Sequence, residues 1–329
     1  MNLRQTILVT GGAGYVGSHV CKLLAAKGFS PVAVDCLSRG HEWAVKWGPL
    51  ERVDLTDEAH LKEVIRQHRP IGVMHLADLC DVGESVKDPG KYYHNNLVGS
   101  INLLKGMLNQ GTGSIIFSSS CAIYGMSGKI PISETEAKVP ITPYGMSKFV
   151  VEHMLRDFAL AYGIGHVCLR YFNAAGADPE GEIGECHQPE SHVIPLAIKT
   201  ALGEQGYFEI FGTDYETPDG TAVRDYVHVS DLASAHVLAL QYLLEGGQSI
   251  ALNLGTGQGH SVKQIISVVE RVSSRVVVVK ERPRRAGDPS ILVANASEAF
   301  KVLNWTPKHD SLDDIVATAL NWHRKQLLG

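Results

Sequence analysis

No CxxC pair, no HExxH and no tight Cys/His cluster occurs among the six cysteines and fifteen histidines of this 329-residue chain. That argues against a disulfide framework and against a zinc site, so Cys21, Cys36, Cys80, Cys121, Cys168 and Cys186 read as reduced thiols and no metal is expected. No block of five like charges occurs, and the net charge is -5 with a pI near 6.3. Nothing here favours a nucleic-acid partner or an anionic membrane surface. The longest apolar runs are strand-sized, such as Thr6 to Thr10 and Val276 to Val279, and Met1-Asn2-Leu3-Arg4-Gln5-Thr6 lacks the apolar core of a secretory signal. No internal repeat or low-complexity tract is visible. The expectation is a cytoplasmic protein whose partner is a small molecule.

Short β-branched segments alternate with helical patterns along the first half of the chain. Thr6 to Thr10, Pro31 to Asp35, Arg52 to Leu55, Ile71 to Leu76, Ser114 to Ser118 and Val167 to Tyr171 read as strands. Helical patterns run through Leu24, through Val64, around Val98 to Met107 and through Phe158. This rhythm predicts an α/β fold with a Rossmann-like doubly wound parallel sheet. After Asn173 a Gly/Pro/acid-rich stretch reads as loop. It marks the expected boundary between residues 1–173, a dinucleotide-binding domain with a returning segment near 223–255, and a smaller C-terminal α/β substrate-binding lobe over 174–329. That lobe is expected to hold helices near Pro195 to Leu202 and Asp231 to Leu244, strands at Phe208 to Phe211 and Ile250 to Leu254, a helix to Val272 and a closing helix near Leu328.

The first strand runs into Gly11-Gly12-Ala13-Gly14-Tyr15-Val16-Gly17, the strand, glycine turn and helix start of a dinucleotide fold. Glycines let the backbone approach a pyrophosphate, and the helix N-terminus offers free N–H groups. The spacing is Gly11-x-x-Gly14-x-x-Gly17, so the GxGxxG fingerprint is met only approximately. Asp35 closes the second strand, where a carboxylate would hold an adenosine ribose and repel a 2′-phosphate, favouring NAD over NADP. Arg39 could instead welcome a phosphate. Asp54 and Leu55 end the third strand where the adenine would lie, although Asp54 also suits a helix N-cap.

Tyr144 and Lys148 are four residues apart, so on a helix they share a face. An ammonium beside a phenol favours phenolate, drawing a pKa of about 10 toward neutrality. With Phe117-Ser118-Ser119-Ser120 upstream, this is a proton-transfer set suited to a sugar alcohol.

With these pieces assembled, the chain resembles the extended short-chain dehydrogenase/reductases, within them the branch that inverts C4 of UDP-hexoses. The resemblance runs nearly end to end, through Val82-Gly83-Glu84-Ser85-Val86, Tyr92 to Asn96, Phe117 to Ser120, Pro143 to Lys148, Leu169 to Asn173, Gly212 to Thr221, Val223 to Val229 and Arg285-Ala286-Gly287-Asp288. It implies that Tyr144 is the acid/base, that Lys148 lowers its pKa and holds the nicotinamide ribose, and that Ser120 hydrogen-bonds the reacting O4. It also implies that Tyr15 and Val16 touch the pyrophosphate of NAD, that Leu76, Ala77, Asp78 and Cys80 line the cofactor together with Ser118, that Asn95 lies on the nicotinamide side, and that Tyr171 and Phe172 flank the ring. Asn173, Val193, Phe211, Arg224, Tyr226, Arg285 and Asp288 would cradle the uridine diphosphate, two arginines suiting a diphosphate through their bidentate forks. Arg224-Asp225 could equally be a local charge pair, and Arg284-Arg285 a solvated face.

Three positions depart from the family pattern: Cys80 stands for a frequent lysine, Asp78 for a usual glycine and Ala122 for a frequent threonine. Leu292 falls where the family gates room for an N-acetyl group, which leaves UDP-N-acetylhexosamines or UDP-pentoses open as substrates. The implied reaction removes the C4 hydroxyl proton and hydride, turns the 4-keto sugar over and returns the hydride. A dehydratase or a decarboxylase would need a carboxylate just after the serines, where Cys121-Ala122-Ile123 offer none. A non-catalytic NAD-sensing module predicts erosion of Tyr144 or Lys148, and both are intact. The family further implies a homodimer through helices around Ile101 to Met107 and Phe149 to Leu160.

Overall fold

In the computed structural model, residues 5–285 and 287–328 are described; Ala286 of the Arg285-to-Asp288 motif lies outside them. β1 (Thr6–Thr10) passes through the glycine turn into α1 (Tyr15–Ala26), followed by β2 (Ser30–Val34), a two-residue β3 (Leu50–Glu51), α2 (Glu58–His68) and β4 (Gly72–His75). Two short helices, α3 (Val82–Lys87) and α4 (Pro89–Tyr93), lead through a π-helical turn (His94–Val98) into α5 (Gly99–Gln110). β5 (Ser114–Ser120), α6 (Pro143–Tyr162) and β6 (Gly165–Tyr171) complete the first half.

Six strands of that half and one from later in the chain form a parallel sheet. Its order is β10-β6-β5-β4-β1-β2-β3, with β10 at Ile250–Leu254. The order reverses between β1 and β4, the place where open α/β sheets leave a crevice beyond the strand C-termini. Both faces are covered, which is why the strands read as near-continuous apolar runs. Side chains alternate across the sheet: Ile7 and Val9 pack with Val20, Leu24, Leu232 and Leu240, while Leu8 packs with Leu61, Val64, Leu103 and Val151. Each such fully buried aliphatic side chain contributes about 1.5–3 kcal/mol.

The third strand is shorter than expected and lies earlier than Arg52 to Leu55. Pairing stops at Val34↔Glu51. Beyond it the chain bends, because Asp54 Oδ1 accepts from both the N–H and the hydroxyl of Thr56 (2.9 and 2.7 Å) and closes a turn before α2.

The first passage between sheets has almost no linker. β6 ends at Tyr171 and β7 (Asn173–Ala175) starts after Phe172 alone. After α7 (Val193–Leu202) and β8 (Phe208–Phe211), β9 (Val223–His228) runs straight into α8 (Val229–Leu244), which covers the large sheet, and the chain continues into β10. β11 (Gly259–Ser261) and α9 (Val262–Ser273) come next, then β12 (Val279–Arg282), β13 (Ile291–Leu292), α10 (Ser297–Leu303) and α11 (Leu312–Leu328). β9 lies between β11 and β13 and also pairs with β7, while β12 pairs with β8. A separate core of Ile194, Ile198, Ile210, Ile265, Val269, Ile315 and Leu320 holds α7, α9 and α11 together. Among the described residues, no helix is long and apolar enough to cross a membrane.

Candidate active site

The glycine turn is shaped by steric need. Gly11 has φ +72°, and a Cβ there would lie 2.8 Å from the Leu76 carbonyl carbon; one on Gly12 would lie 2.7 Å from the Ala33 Cβ, and one on Gly17 would collide with the Gly11 carbonyl oxygen. α1 begins at Tyr15 with Gly14 as N-cap and no side-chain cap bond. The first-turn N–H groups of Tyr15, Val16 and Gly17 thus have no intrahelical acceptor, and the helix dipole adds positive potential at the β1/β4 crevice. These features fit a dinucleotide pyrophosphate. The Tyr15 hydroxyl turns away, donating to the Gly176 carbonyl (2.6 Å).

Asp35, buried beyond β2, accepts from the N–H groups of Ala13 (3.1 Å) and Leu37 (2.8 Å). Burial raises its carboxyl pKa against those hydrogen bonds. Arg39 is bound to Glu84 (3.0 Å), so its guanidinium is engaged elsewhere than at a 2′-phosphate. Leu55 is buried against Gly99 under α5, whereas Asp54 is committed to its turn.

The catalytic candidates meet beyond the C-terminal ends of β4, β5 and β6. Pro143 at the first turn and Thr142, whose hydroxyl accepts from the Gly145 N–H (3.2 Å), start α6 so that Tyr144 and Lys148 face the sheet. The Lys148 ammonium donates to the Ser118 carbonyl (2.6 Å) and to Asp78 Oδ2 (2.7 Å), and lies 4.9 Å from the Phe117 ring and 5.8 Å from the Tyr144 ring. Burial pushes the Tyr144 phenol well up, while the nearby Ser120 hydroxyl acts in the opposite direction. Ser118 and the Tyr171 hydroxyl share a short hydrogen bond. Ser120 is buried at the end of β5, its oxygen accepting from the Ala122 N–H (3.1 Å).

Leu76 and Ala77 follow β4 beneath this cluster, and Asp78 is fully enclosed, whereas Cys80 is exposed toward the crevice. Asn95 donates to its neighbour Asn96 (2.9 Å). Asn96 is a residue the sequence reading passed over. Completely buried in the π-helical turn, it accepts from the Leu79 N–H (2.9 Å) and donates to the Leu79 carbonyl (3.1 Å) and to Ser147 (2.9 Å), pinning the loop after β4 to α6. A second unanticipated network lies behind the serines: Glu152 accepts from Ser119 (2.6 Å) and from Arg170 (2.6 and 2.9 Å), and Arg170 reaches the Tyr124 hydroxyl (3.0 Å), which donates to Asn253 (2.7 Å).

The remaining candidates gather on the small sheet. Arg224 on β9 is paired with Asp288 (2.5 Å), and Arg285 stacks over Phe211 (4.1 Å). Asp225 does not pair with Arg224: fully buried, it accepts from the N–H groups of Thr256, Gly257 and Ala294 (2.9, 3.0 and 3.1 Å). Arg284 is not a bare solvated cation but is bound to Asp214 (2.8 Å) above the Tyr215 ring. Asn173 donates to the Asp225 carbonyl (3.0 Å), opposite the buried Tyr226 in the β7–β9 register. Val193 opens α7, and Leu292 packs against the cluster of Cys121, Ile123 and Phe172. The loop between β7 and α7 supplies a cluster with no legible sequence spacing: His187 and His192 both contact Glu185 (3.0 and 2.7 Å), and His192 also contacts Glu190 (2.9 Å). The His187 ring is set edge-on to Tyr15 at 6.4 Å, so this loop closes over the start of α1.

A doubly wound sheet with a glycine turn, an acid beyond β2 and a buried Tyr/Lys pair beside a serine defines the class of dinucleotide-dependent enzymes that act on an alcohol. Residues 7–255 match the NAD dependent epimerase/dehydratase family, and the chain belongs to it. It is 52% identical over 325 residues to a UDP-glucose 4-epimerase of Rhizobium meliloti, covering 99% of each chain. Among solved structures, UDP-glucose 4-epimerase from Brucella ovis in complex with NAD is 50% identical with a TM-score of 0.94, covering 96% of this chain and 97% of that one. The enzyme from Bifidobacterium longum in complex with NAD+ and UDP is 37% identical with a TM-score of 0.94, covering 98% and 99%.

Proposed function

We propose that this chain interconverts UDP-glucose and UDP-galactose by NAD-dependent inversion at C4. The observation that carries this reading is the convergence of Tyr144, Lys148 and Ser120 at one end of the crevice with an arginine- and aromatic-lined cradle on the facing small sheet. Relatives over nearly the full length are named for the same reaction.

In this reading the domain over residues 1–173, with the returning segment near 223–255, holds NAD, and the lobe over 174–329 holds the nucleotide sugar. When bound, NAD supplies the hydride acceptor and donor at C4. Tyr144 removes the O4 proton and later gives it back, with Ser120 shortening the path. Lys148 holds the ribose beside the base. Arg224 and Arg285 anchor the diphosphate, Phe211 and Tyr226 its base and ribose, and Asp288 keeps the Arg224 fork aimed. With binding energy concentrated on UDP, the hexose has freedom to turn over between proton removal and return. Leu292, of intermediate bulk and partly buried against Cys121 and Phe172, supports a second reading in which UDP-N-acetylhexosamines or UDP-pentoses are also accepted. We further place the enzyme in the cytoplasm, consistent with six unpaired thiols. It pairs as a homodimer through α5 and α6, where Leu160 (81% exposed) and Tyr162 (61%) offer apolar surface.

The test is incubation of purified protein with UDP-galactose, UDP-N-acetylgalactosamine and UDP-xylose without added NAD, alongside Tyr144→Phe. Epimerised product from the native chain and a loss of roughly 10²–10⁴-fold in the variant, with UDP binding retained, are expected. Unchanged turnover in Tyr144→Phe would remove this residue from the chemistry.

A further inference from the structure

A lysine ammonium has three N–H donors and one positive charge, and here the chain itself takes two of the donors and faces the charge with an opposite one. Two donors of Lys148 are taken by Asp78 Oδ2 at 2.7 Å and by the Ser118 carbonyl at 2.6 Å. Both members of the ion pair are sealed from solvent, with side-chain exposures of 3% and 2%. A cation and an anion in contact act on a third group largely as a dipole, whose field falls off faster than that of a single charge. Tyr144, whose ring is 5.8 Å from the ammonium, therefore feels much less than the full field of Lys148.

The other groups around the phenol do not supply the missing charge. Cys80 from the loop after β4, Tyr171 from β6 and Cys121 after β5 face Tyr144; burial pushes Tyr171 up and Cys121 to about 12, and local desolvation of its sulfur raises the Cys80 thiol although the residue as a whole is exposed, so at neutral pH all three are uncharged. Ser120 contributes only a hydroxyl. On the Lys148 side, His75 binds Thr10 (2.8 Å) and Ser100 (2.9 Å) and is drawn down by burial to about 4, so it too is neutral. His192, Arg39 and Asp81 act on Cys80, with His192 paired to Glu185 and Glu190 and Arg39 to Glu84. Asp78 and Lys148 are thus the formal charges set against the base, and they cancel. Asp78 Oδ1 has no hydrogen-bond partner among the described residues, with His75 Nε2 at 4.0 Å, so neither a donor nor a second cation blunts the carboxylate.

We propose that Asp78 is a charge-setting, positioning residue for the Tyr144 base: by holding the Lys148 ammonium in a buried ion pair it withholds much of that ammonium's field from the phenol, so Tyr144 ionises only at a higher pH than the Tyr144/Lys148 pair alone would require. This rests on the acid/base role given to Tyr144 above and adds what governs it. Asp78 itself touches neither the phenol nor the reacting carbon; it acts through Lys148.

The decisive variant is Asp78→Asn, which keeps the side-chain shape and removes the charge. In the NAD-loaded enzyme, the acidic limb of kcat/KM for UDP-galactose should move to lower pH by about one unit, the size expected of one charge several ångströms away at an effective dielectric near 20. A limb that stays in place, or moves upward, overturns the proposal. The second readout needs no catalysis: the phenolate absorbance of the NAD-loaded protein without substrate is titrated and the same variant carrying Tyr144→Phe is subtracted, isolating Tyr144. Its midpoint should fall by a similar amount in Asp78→Asn. A residue that merely supports the loop would alter stability or KM and leave both midpoints unmoved. If Asp78→Asn does not fold, Asp78→Gly removes the charge with the side chain and is read the same way. Should the native chain turn over none of the UDP-sugars, the function fails on that result while the phenolate titration still decides the role of Asp78.

Discussion

Replacing Glu152 by Gln is the most informative test of how the serine-bearing strand is held. Glu152 projects from α6 toward β5 and β6, accepts from Ser119 (2.6 Å) and binds Arg170 through both oxygens (2.6 and 2.9 Å), with both side chains at or below 8% exposure. The amide keeps the volume but removes the charge and turns one of the two acceptors into a donor aimed at either Arg170 or Ser119. The Arg170 guanidinium is left buried with only the Tyr124 hydroxyl as its other partner (3.0 Å). Breaking one side of a buried pair costs about 3–5 kcal/mol. The Ser119 hydroxyl can rotate to recover one bond, which places the expectation near the lower end, about 3 kcal/mol, or a loss of roughly 6 °C in Tm at about 2 °C per kcal/mol for a chain of this size. Urea unfolding and calorimetry of Glu152→Gln measure it. Because apolar replacement of both partners is often neutral, Glu152→Leu combined with Arg170→Met should cost less than the sum of those two single variants, which together form a double-mutant cycle. A single-variant cost below about 1 kcal/mol, or a double variant no better than the summed singles, would refute the view of Glu152 as the counter-charge that fixes β5 against α6.

Further outcomes follow from the same geometry. Gly17→Ala places a methyl group against the Gly11 carbonyl and should abolish NAD retention, read as the cofactor content of purified protein. Arg224→Met removes a charge-assisted fork aimed by Asp288 and should weaken UDP binding by about 10–100-fold in calorimetry, with a smaller effect for Asp288→Asn. Burial draws His19 and His236 down to about 4 and His228 to about 3, so each has a folded pKa below its unfolded value near 6.5. The unfolded chain then takes up protons first: stability is fully present above pH ~6.5 and falls as pH drops toward ~4. Urea midpoints measured across that window should decline, and His236→Gln should flatten the decline.

The large sheet was legible because its strands, buried on both faces, are written as apolar runs of the right length between helical patterns. Three of its strands, at 6–10, 114–120 and 250–254, start where their residues indicate, as does 208–211 in the two-stranded sheet. What was not legible has a common physical cause. β3 is limited by a side-chain turn at Asp54 that competes with pairing, and local hydrogen bonds of that kind leave no periodic trace. β11 and β13 are two or three residues long and α10 only seven, too short for either period to register. At the site, Tyr144, Lys148 and the glycine turn could be named because their chemistry depends on fixed local spacing. Asn96, Glu152 with Arg170, and the Glu185 to His192 cluster depend on contacts between distant segments, and no spacing within one segment announces them. Asp78 was visible as an unusual residue, but its ion pair with Lys148 required the geometry.

One residue, Phe172, separates the last strand of the first half from the first strand of the small sheet, and no residue at all separates β9 from α8. Hinges need a few positions able to absorb backbone rotation. At these crossings the chain has almost none to spare, since the strands on either side are locked by their ladders. The joints from β6 to β7 and from β9 to α8 are therefore stiff, and the slack between the two sheets lies at residues 255–258 between β10 and β11. A sugar that has to present both of its faces in turn is better served by rotation about its own phosphate bonds than by bending at those stiff joints.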